Sequence, residues 1–450
     1  MPSKITRRTF TRAAAGALTA LSAASVSRVL GANERVQLGV IGVGNRGDQL
    51  LDAFRTHDDC DVVALCDVYK PYLKAAHEKV GDGADTYGDF RKLIERKDLN
   101  AIVIATPDHW HALQFVAACR AGKDVYCEKP LSLTVAEGRA MADVAKKTNR
   151  VTQVGLHRRS APVIEEAVKF LREGGIGKIT VAKAYHLRNE SPMGIGTPQD
   201  GPPPEGLDWD MWLGPAPKAA FNRNRCLYKF RWFWDYSGGQ LTNFGTHYLD
   251  VIQWALDQYA PRGVFCAGGR FAVRDNRQIP DTLEAVWEYE GALVTFSQFN
   301  ANASPGNRSG WELEFRGTKG TLLMQEGSGY VVFAESQRTE EMPALSPLAR
   351  KENAEQARAV KTAMDSLPGK SGKADTALHT RNFLDCVKSR KATNCPVEVG
   401  HRSTTATLLA RVALLRKQHL AWDPRAERVT NDDEANKMLS YEYRAPWKLS

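Results

Sequence analysis

The chain of 450 residues has eight cysteines and none of them are spaced C-x-x-C, so the usual zinc and thiol-redox spacings are missing. The thiols are scattered and read as core residues; an oxidised pair such as Cys386 with Cys395 stays open, because spacing does not decide it. No internal repeat is present. The Ala-rich run from Ala13 to Val26 is too short and too mild to cross a membrane, which takes about 20 strongly apolar residues. Acidic residues are missing from the first 33 positions, where Lys4, Arg7, Arg8, Arg12 and Arg28 supply five of the net +9 charges and leave +4 on the remainder. With so nearly ordinary a balance, and with no basic helix or aromatic-basic motif, nucleic acid is not an expected partner.

The basic start has its own reading. Thr6-Arg7-Arg8-Thr9-Phe10, the mild apolar run and Leu30-Gly31-Ala32 resemble a twin-arginine export leader, with cleavage near Ala32. No cysteine lies near that point to take a lipid anchor. Residues 1–32 are therefore expected to be a signal peptide recognised by the twin-arginine machinery, and the mature chain to be free in the periplasm.

What is present begins at Arg35. Val36, Leu38, Val40 and Ile41 suit a buried parallel strand, and Gly42-Val43-Gly44-Asn45-Arg46-Gly47 follows, then a helix-like Asp48 to Phe54. In such a loop Gly42 permits the tight turn, Gly44 lets backbone approach a diphosphate and Gly47 lets helix pack on strand, with Asn45 and Arg46 beside the phosphates. A second strand, Asp61 to Cys66, ends in Asp67, about 20 residues past the last glycine, where a carboxylate accepts ribose hydroxyls. Asp67 would repel a 2′-phosphate and no arginine follows it directly, so NAD is expected ahead of NADP. Further strands at Ala101 to Ala105, Val125 to Cys127 and Val151 to Val154 alternate with amphipathic segments. That pattern predicts a Rossmann-type parallel sheet over 33–156, with ligands at the C-terminal strand ends.

From about His157 to residue 450 the pattern changes to a second, α+β domain. Leu283, Ala285, Trp287 and Tyr289 alternate, as do Trp311, Leu313 and Phe315, predicting a mainly antiparallel open sheet with turns at Gly291 and Gly317-Thr318-Lys319-Gly320. Gln337 to Thr376, charged and broken by prolines, reads as a surface excursion. Helices near Ala377 to Ser389 and His401 to Gln418 are expected to pack back on the body, ahead of a polar tail.

Thr106-Pro107-Asp108-His109-Trp110-His111 and Cys127-Glu128-Lys129-Pro130 follow the third and fourth of these strands, and Gly238-Gly239 leads through Asn243 to His247 and Asp250. Together with the glycine loop, these motifs resemble the glucose-fructose oxidoreductase and inositol dehydrogenase family (Gfo/Idh/MocA). The resemblance implies an enzyme moving a hydride between a nicotinamide and a hydroxyl of a sugar, polyol or glycoside, with a homo-oligomer expected. It implies Lys129 as the catalytic lysine, Asn243 at a position commonly Asp, and His247 as the group contacting the reacting hydroxyl. An imidazole near neutrality is a suitable base, and a nearby ammonium favours the developing alkoxide. Thr106, Pro107 and His109 match the loop lining the cofactor, and Glu128 the nicotinamide ribose. Arg158, Tyr185, Trp232, Trp234, Asp235 and Asp250 are candidates for a sugar site, since aromatic faces stack on C–H surfaces and carboxylates accept hydroxyl bonds. His109 with His111, or His247 with Asp250, falls short of a metal ligand set. The runner-up reading is a redox-neutral glycosidase, lyase or epimerase on the same fold.

Overall fold

Apolar side chains on both faces commit β1 (Val36–Ile41) to the middle of a sheet, where it pairs in parallel with β2 (Cys60–Cys66) and β4 (Ala101–Ile104). The computed structural model describes residues 35–304, 310–325, 329–338 and 360–449; the leader expected at residues 1–32 lies outside them. With β3 (Asp85–Tyr87), β5 (Asp124–Cys127) and β6 (Thr152–Val154), the strands form a six-stranded parallel sheet ordered β3-β2-β1-β4-β5-β6.

Alternate side chains serve the two faces. Leu38, Val40, Leu65 and Val103 pack against α1 (Asn45–Arg55) and α2 (Lys70–Val80). Ile41, Ile102, Ile104 and Cys127 pack against α3 (Phe90–Ile94), α4 (Asp108–Arg120) and α5 (Val135–Thr148).

The second half opens with a 3-10 turn, His157–Ser160, and α6 (Pro162–Arg172), whose Ile164, Ala167, Val168 and Leu171 form one buried stripe. A short helix, α7 (Trp209–Leu213), and α8 (Gly239–Leu256) follow β7 (Ile179–Leu187). Then come β8 (Gly263–Gly269), β9 (Thr282–Tyr289), β10 (Ala292–Phe299), β11 (Trp311–Gly317), β12 (Gly320–Gln325) and β13 (Gly329–Ala334). The short β14 (Ser336–Arg338) pairs with β15 (Val360–Thr362) in a separate two-stranded sheet, whereas β16 (Leu367–Ser371) joins the large sheet. After α9 (Thr376–Ser389) and α10 (Val397–Arg416), β17 (Leu420–Asp423), β18 (Arg428–Val429) and α11 (Asp433–Lys437) complete the elements.

The large sheet has the order β16-β13-β12-β11-β7-β10-β9-β8-β17-β18. It is antiparallel apart from the pair β7 and β10. Trp287 at its centre is fully buried and donates from Nε1 to the Ala406 carbonyl at 2.8 Å, tying α10 to the sheet. No helix among the described residues is long and apolar enough to cross a membrane.

Both late helices brace the first domain. Phe383 and Leu384 of α9 enter the core under α1, with Arg381 paired to Asp59 at 2.6 Å and Arg390 to Asp124 at 2.5 Å. In α10, which starts at Val397 rather than His401 because Pro396 occupies its N-cap, Thr404 Oγ1 accepts the Leu131 N–H at 3.1 Å. The segment bearing Lys129 is thus held from both sides. Two expectations change: within the stretch read as a surface excursion, Leu367–Ser371 is exposed but forms an edge strand, where Pro368 is tolerated, while 339–359 lies outside the described residues. The tail is also anchored, Trp447 packing edge-on against Trp110 at 4.7 Å. All eight cysteines are buried free thiols, Cys386 and Cys395 included.

Candidate active site

The C-terminal ends of β1, β2, β4 and β5 open into a cleft of about 430 Å³, closed on its far side by Asn243, Phe244 and His247 of α8 and by the stretch from Leu227 to Arg231. Its nucleotide half is built from backbone. Gly42 holds a left-handed φ of 82°, and a Cβ on Gly47 would lie 1.9 Å from the Gly42 oxygen, so strand and helix meet only with glycine there. Helix α1 starts beyond Gly44 with no side-chain cap, and its first N–H groups are available to a diphosphate. These features fit a dinucleotide. Asp67 ends β2 as expected; its Oδ2 accepts from Val43 N–H and its Oδ1 from Tyr69 N–H, both at 2.9 Å, and burial against those bonds pushes its carboxyl up to about 6.

The reacting half is charged and matched. Arg46 Nε lies 2.7 Å from Glu128 Oε1; burial alone would raise Glu128, but Arg46 and Lys129 hold its carboxylate below the usual range. Lys129 Nζ donates to Asn243 Oδ1 at 2.5 Å, and Asn243 Nδ2 donates to Gln240 Oε1 at 2.9 Å, which fixes the amide's orientation. Burial brings the Lys129 ammonium down to about 8, with Glu128 opposing and Arg231 adding to the fall. His247, one helical turn after Asn243, is buried with no partner at Nδ1. Burial, then the Lys129 charge, keeps its ring neutral far below the ordinary histidine range. The His157 ring stands edge-on to it, 5.2 Å between centroids.

Several expected residues face elsewhere. Thr106 and Pro107 line the cleft, with Thr106 Oγ1 donating to Gln114 Oε1 at 2.8 Å. His109 does not, because the start of α4 turns it inward, where Nε2 meets the Trp212 carbonyl at 3.1 Å and the ring packs on Trp212 and Tyr236. His111 is likewise occupied by the carbonyls of Pro130 and Thr106.

Of the sugar-site candidates only Arg158 comes close. It pairs with Glu312 at 2.6 Å beside a smaller cavity that shares His157 with the cleft. Tyr185 donates to Glu314 on the large sheet, Trp232 lies under the Arg277 guanidinium at 4.2 Å, and Trp234 under that of Arg411 at 5.1 Å. Asp235 sits 3.9 Å from Arg225, and Asp250 is fully buried between Arg159 at 2.9 Å and Ser403 at 2.8 Å. Packing and internal ion pairing take these side chains.

The cleft also presents His157, Asp108, Tyr228, Phe230 and Arg231, none of which the sequence marks as a site residue, although Asp108 belongs to the loop singled out there. His157 follows the end of β6, so the strand-end rule that marked Lys129 applies to it as well.

Fold and cleft define a dinucleotide-binding protein whose second domain supplies the other wall of the site. The chain belongs to the Gfo/Idh/MocA family. Residues 36–156 match its "oxidoreductase family, NAD-binding Rossmann fold" model, and residues 190–266 and 358–449 its "oxidoreductase family, C-terminal alpha/beta domain". Levoglucosan dehydrogenase of Pseudarthrobacter phenanthrenivorans is 36% identical over 130 residues, 28% of this chain and 33% of that protein. Inositol 2-dehydrogenase of Salmonella paratyphi B is 31% identical over 166 residues, 36% of this chain and 49% of that protein. The chain thus spans a third to a half of the length of these curated relatives. A solved levoglucosan dehydrogenase in complex with NADH and levoglucosan shares the fold at a TM-score of 0.62 and 17% identity, covering 86% of this chain and 99% of that one.

The Asp67 geometry carries a prediction about cofactor choice. Asp67→Ala is expected to weaken NAD by about 10-fold and NADP by less, because it removes a ribose acceptor together with a charge that opposes a 2′-phosphate. Dissociation constants by fluorescence titration check this. Equal losses for both nucleotides would assign Asp67 to holding the Val43 and Tyr69 N–H groups alone.

Proposed function

We propose that this protein is an exported NAD-dependent oxidoreductase that moves a hydride between a nicotinamide and a hydroxyl-bearing carbon of a sugar, polyol or glycoside. The observation that carries the reading is the Lys129 amine, held 2.5 Å from Asn243 in a cleft shared with His247 and a glycine-loop cradle. The relatives, a levoglucosan dehydrogenase and an inositol 2-dehydrogenase, support the substrate class.

When bound, NAD supplies the hydride acceptor. The remaining steps fall to the chain. Gly42 to Gly47 and α1 bind the diphosphate, and Asp67 takes the ribose. Lys129, lowered to about 8, is neutral in roughly a tenth of molecules at pH 7 and accepts the hydroxyl proton at Nζ. His247 aligns the hydroxyl; the cations around it oppose an imidazolium. This exchanges the two roles expected from sequence, where the imidazole was the base.

The export leader adds a constraint. A protein that crosses folded, into a compartment without a free nicotinamide pool, has to carry its cofactor. With association near 10⁶ M⁻¹s⁻¹, a Kd of about 1 nM empties the site in roughly a quarter of an hour, so retention requires sub-nanomolar binding. The enzyme would then regenerate NAD on a second substrate, or return the hydride to the first. The test is to purify the mature protein from the periplasm without added nucleotide, denature one portion and assay the released nicotinamide. The rest is incubated with sugars, polyols and glycosides while nicotinamide absorbance and product mass are followed. Stoichiometric bound cofactor that is reduced by a sugar is the expected result. An empty site, with activity only on consumed external NAD, would remove export-coupled retention; no redox change with any sugar would remove the oxidoreductase reading.

A further inference from the structure

The cleft carries a cation, Arg231, that forms no ion pair with a carboxylate among the described residues. Arg231 lies in the 3-10 turn Lys229–Trp232 and lines the same cleft as Lys129, Asn243 and His247. Its guanidinium lies over the Tyr228 ring at 4.4 Å and the Phe230 ring at 5.4 Å, and Nη1 donates to the Tyr228 carbonyl at 3.0 Å. No carboxylate comes within ion-pairing distance of it among the described residues. Its neighbours differ: Arg225 has Asp235 at 3.9 Å, and Arg277 has Asp275 at 2.7 Å and Glu190 at 2.8 Å.

The acids of the cleft are already committed elsewhere. Glu128 is taken by Arg46, Asp67 by two backbone N–H groups, and Asp108 Oδ2 accepts from Ser237 Oγ at 2.6 Å. Two cations, Lys129 and Arg231, thus line one cleft; the Arg231 charge helps to lower Lys129, and the buried Asp108 acts on both without pairing with either. An aromatic platform fixes the plane of the guanidinium, and a fixed planar fork with unused N–H groups matches a carboxylate in two-pronged geometry. Arg231 and Lys129 line the same cleft, so one sugar ring bound there can offer a carboxylate to the first and a hydroxyl to the second.

We infer that Arg231 anchors a carboxylate of the substrate, so that the enzyme takes acidic sugars, hexuronates or hexonates, in preference to neutral ones. The inference rests on the proposed oxidoreductase reading for the reaction, but not for the binding. Two arms of one experiment separate them, using the full mature protein with its nucleotide bound. In the first, D-glucuronate and D-galacturonate are compared with D-glucose and D-galactose by calorimetric binding, for wild type, Arg231→Gln and Arg231→Lys. The wild type is expected to bind the acids at least about 30-fold more tightly than the neutral sugars, the scale of one charge-assisted pair. Arg231→Gln is expected to bring that ratio to within about 3-fold of unity, and Arg231→Lys to restore part of it. In the second arm, reduction of bound NAD is followed with the same sugars, and the acid-to-neutral ratio of kcat/KM is expected to fall in parallel, mainly through KM. Equal binding of acids and neutral sugars by the wild type overturns the inference. So does an NAD Kd that rises in Arg231→Gln as much as the uronate Kd, which would give this cation to the cofactor diphosphate. Tight, Arg231-dependent uronate binding with no nicotinamide reduction leaves the anchor standing and removes the oxidoreductase reading.

Discussion

Lys129→Ala is expected to lower turnover by more than about 100-fold while NAD affinity stays within a few-fold of wild type, the scale for removing a group that handles a proton in the transition state. The amine meets Asn243 on the substrate side of the cleft, whereas the nucleotide cradle is made by Gly42 to Gly47 and Asp67. The pH profile makes the assignment specific. Only the neutral amine accepts the hydroxyl proton, so below about 8 the wild-type rate should climb tenfold per pH unit and then level off. In the alanine variant that limb should vanish, leaving a low and flatter profile. Single-turnover nicotinamide reduction between pH 6 and about 10, with NAD Kd measured alongside, checks both parts. Unchanged turnover would take Lys129 out of the mechanism. A low rate that kept the same limb would reduce it to a positioning residue and return the proton to another group.

What could be read in advance follows from how locally each feature is specified. The cradle was legible because its parts are contiguous: a strand buried on both faces, glycines where a Cβ would strike backbone, and a carboxylate at the next strand end. Lys129 was picked out by the family resemblance, with its place just past a strand end in a parallel sheet as a weaker local sign. The sugar-site candidates failed where identity alone had to decide between surface and core. Trp232 and Trp234 lie under guanidinium groups from distant segments, Arg277 and Arg411, and Asp250 is consumed by Arg159 and Ser403. No local pattern announces such long-range partners. Arg231 shows the converse, since what distinguishes it is a place in the cleft without an ion pair among the described residues, and only the folded chain reveals that combination. Strand β3 went unread because Asp85-Thr86-Tyr87 has no apolar run, and it joins the sheet only through the edge of β2.

Asn243→Asp is expected to slow the reaction at pH 7 by about 100-fold and to restore much of the rate near pH 10. A carboxylate one helical turn before His247 could act on that ring. The geometry directs it to Lys129 instead, whose Nζ lies 2.5 Å from the oxygen that would become charged. An opposite charge at that distance raises an ammonium by about 1 to 3 units, so the rising limb should move from about 8 to about 10. Each unit halts proton acceptance tenfold at a fixed lower pH, which sets the size of the loss. His247 gives a different signature. Its ring is neutral far below the usual histidine range, so if it were the base the wild type would show no limb near 8. The new carboxylate would then lift the imidazole into view as an acidic limb below about 6.5. Measured over the full range, the two profiles therefore separate three arrangements. A limb displaced upward from about 8 makes Lys129 the base and the amide the reason it works near neutrality. A limb emerging on the acidic side makes His247 the base, and superposable profiles uncouple position 243 from both. The first outcome would also explain why an amide serves here: it orients the Lys129 amine without trapping it as an ammonium.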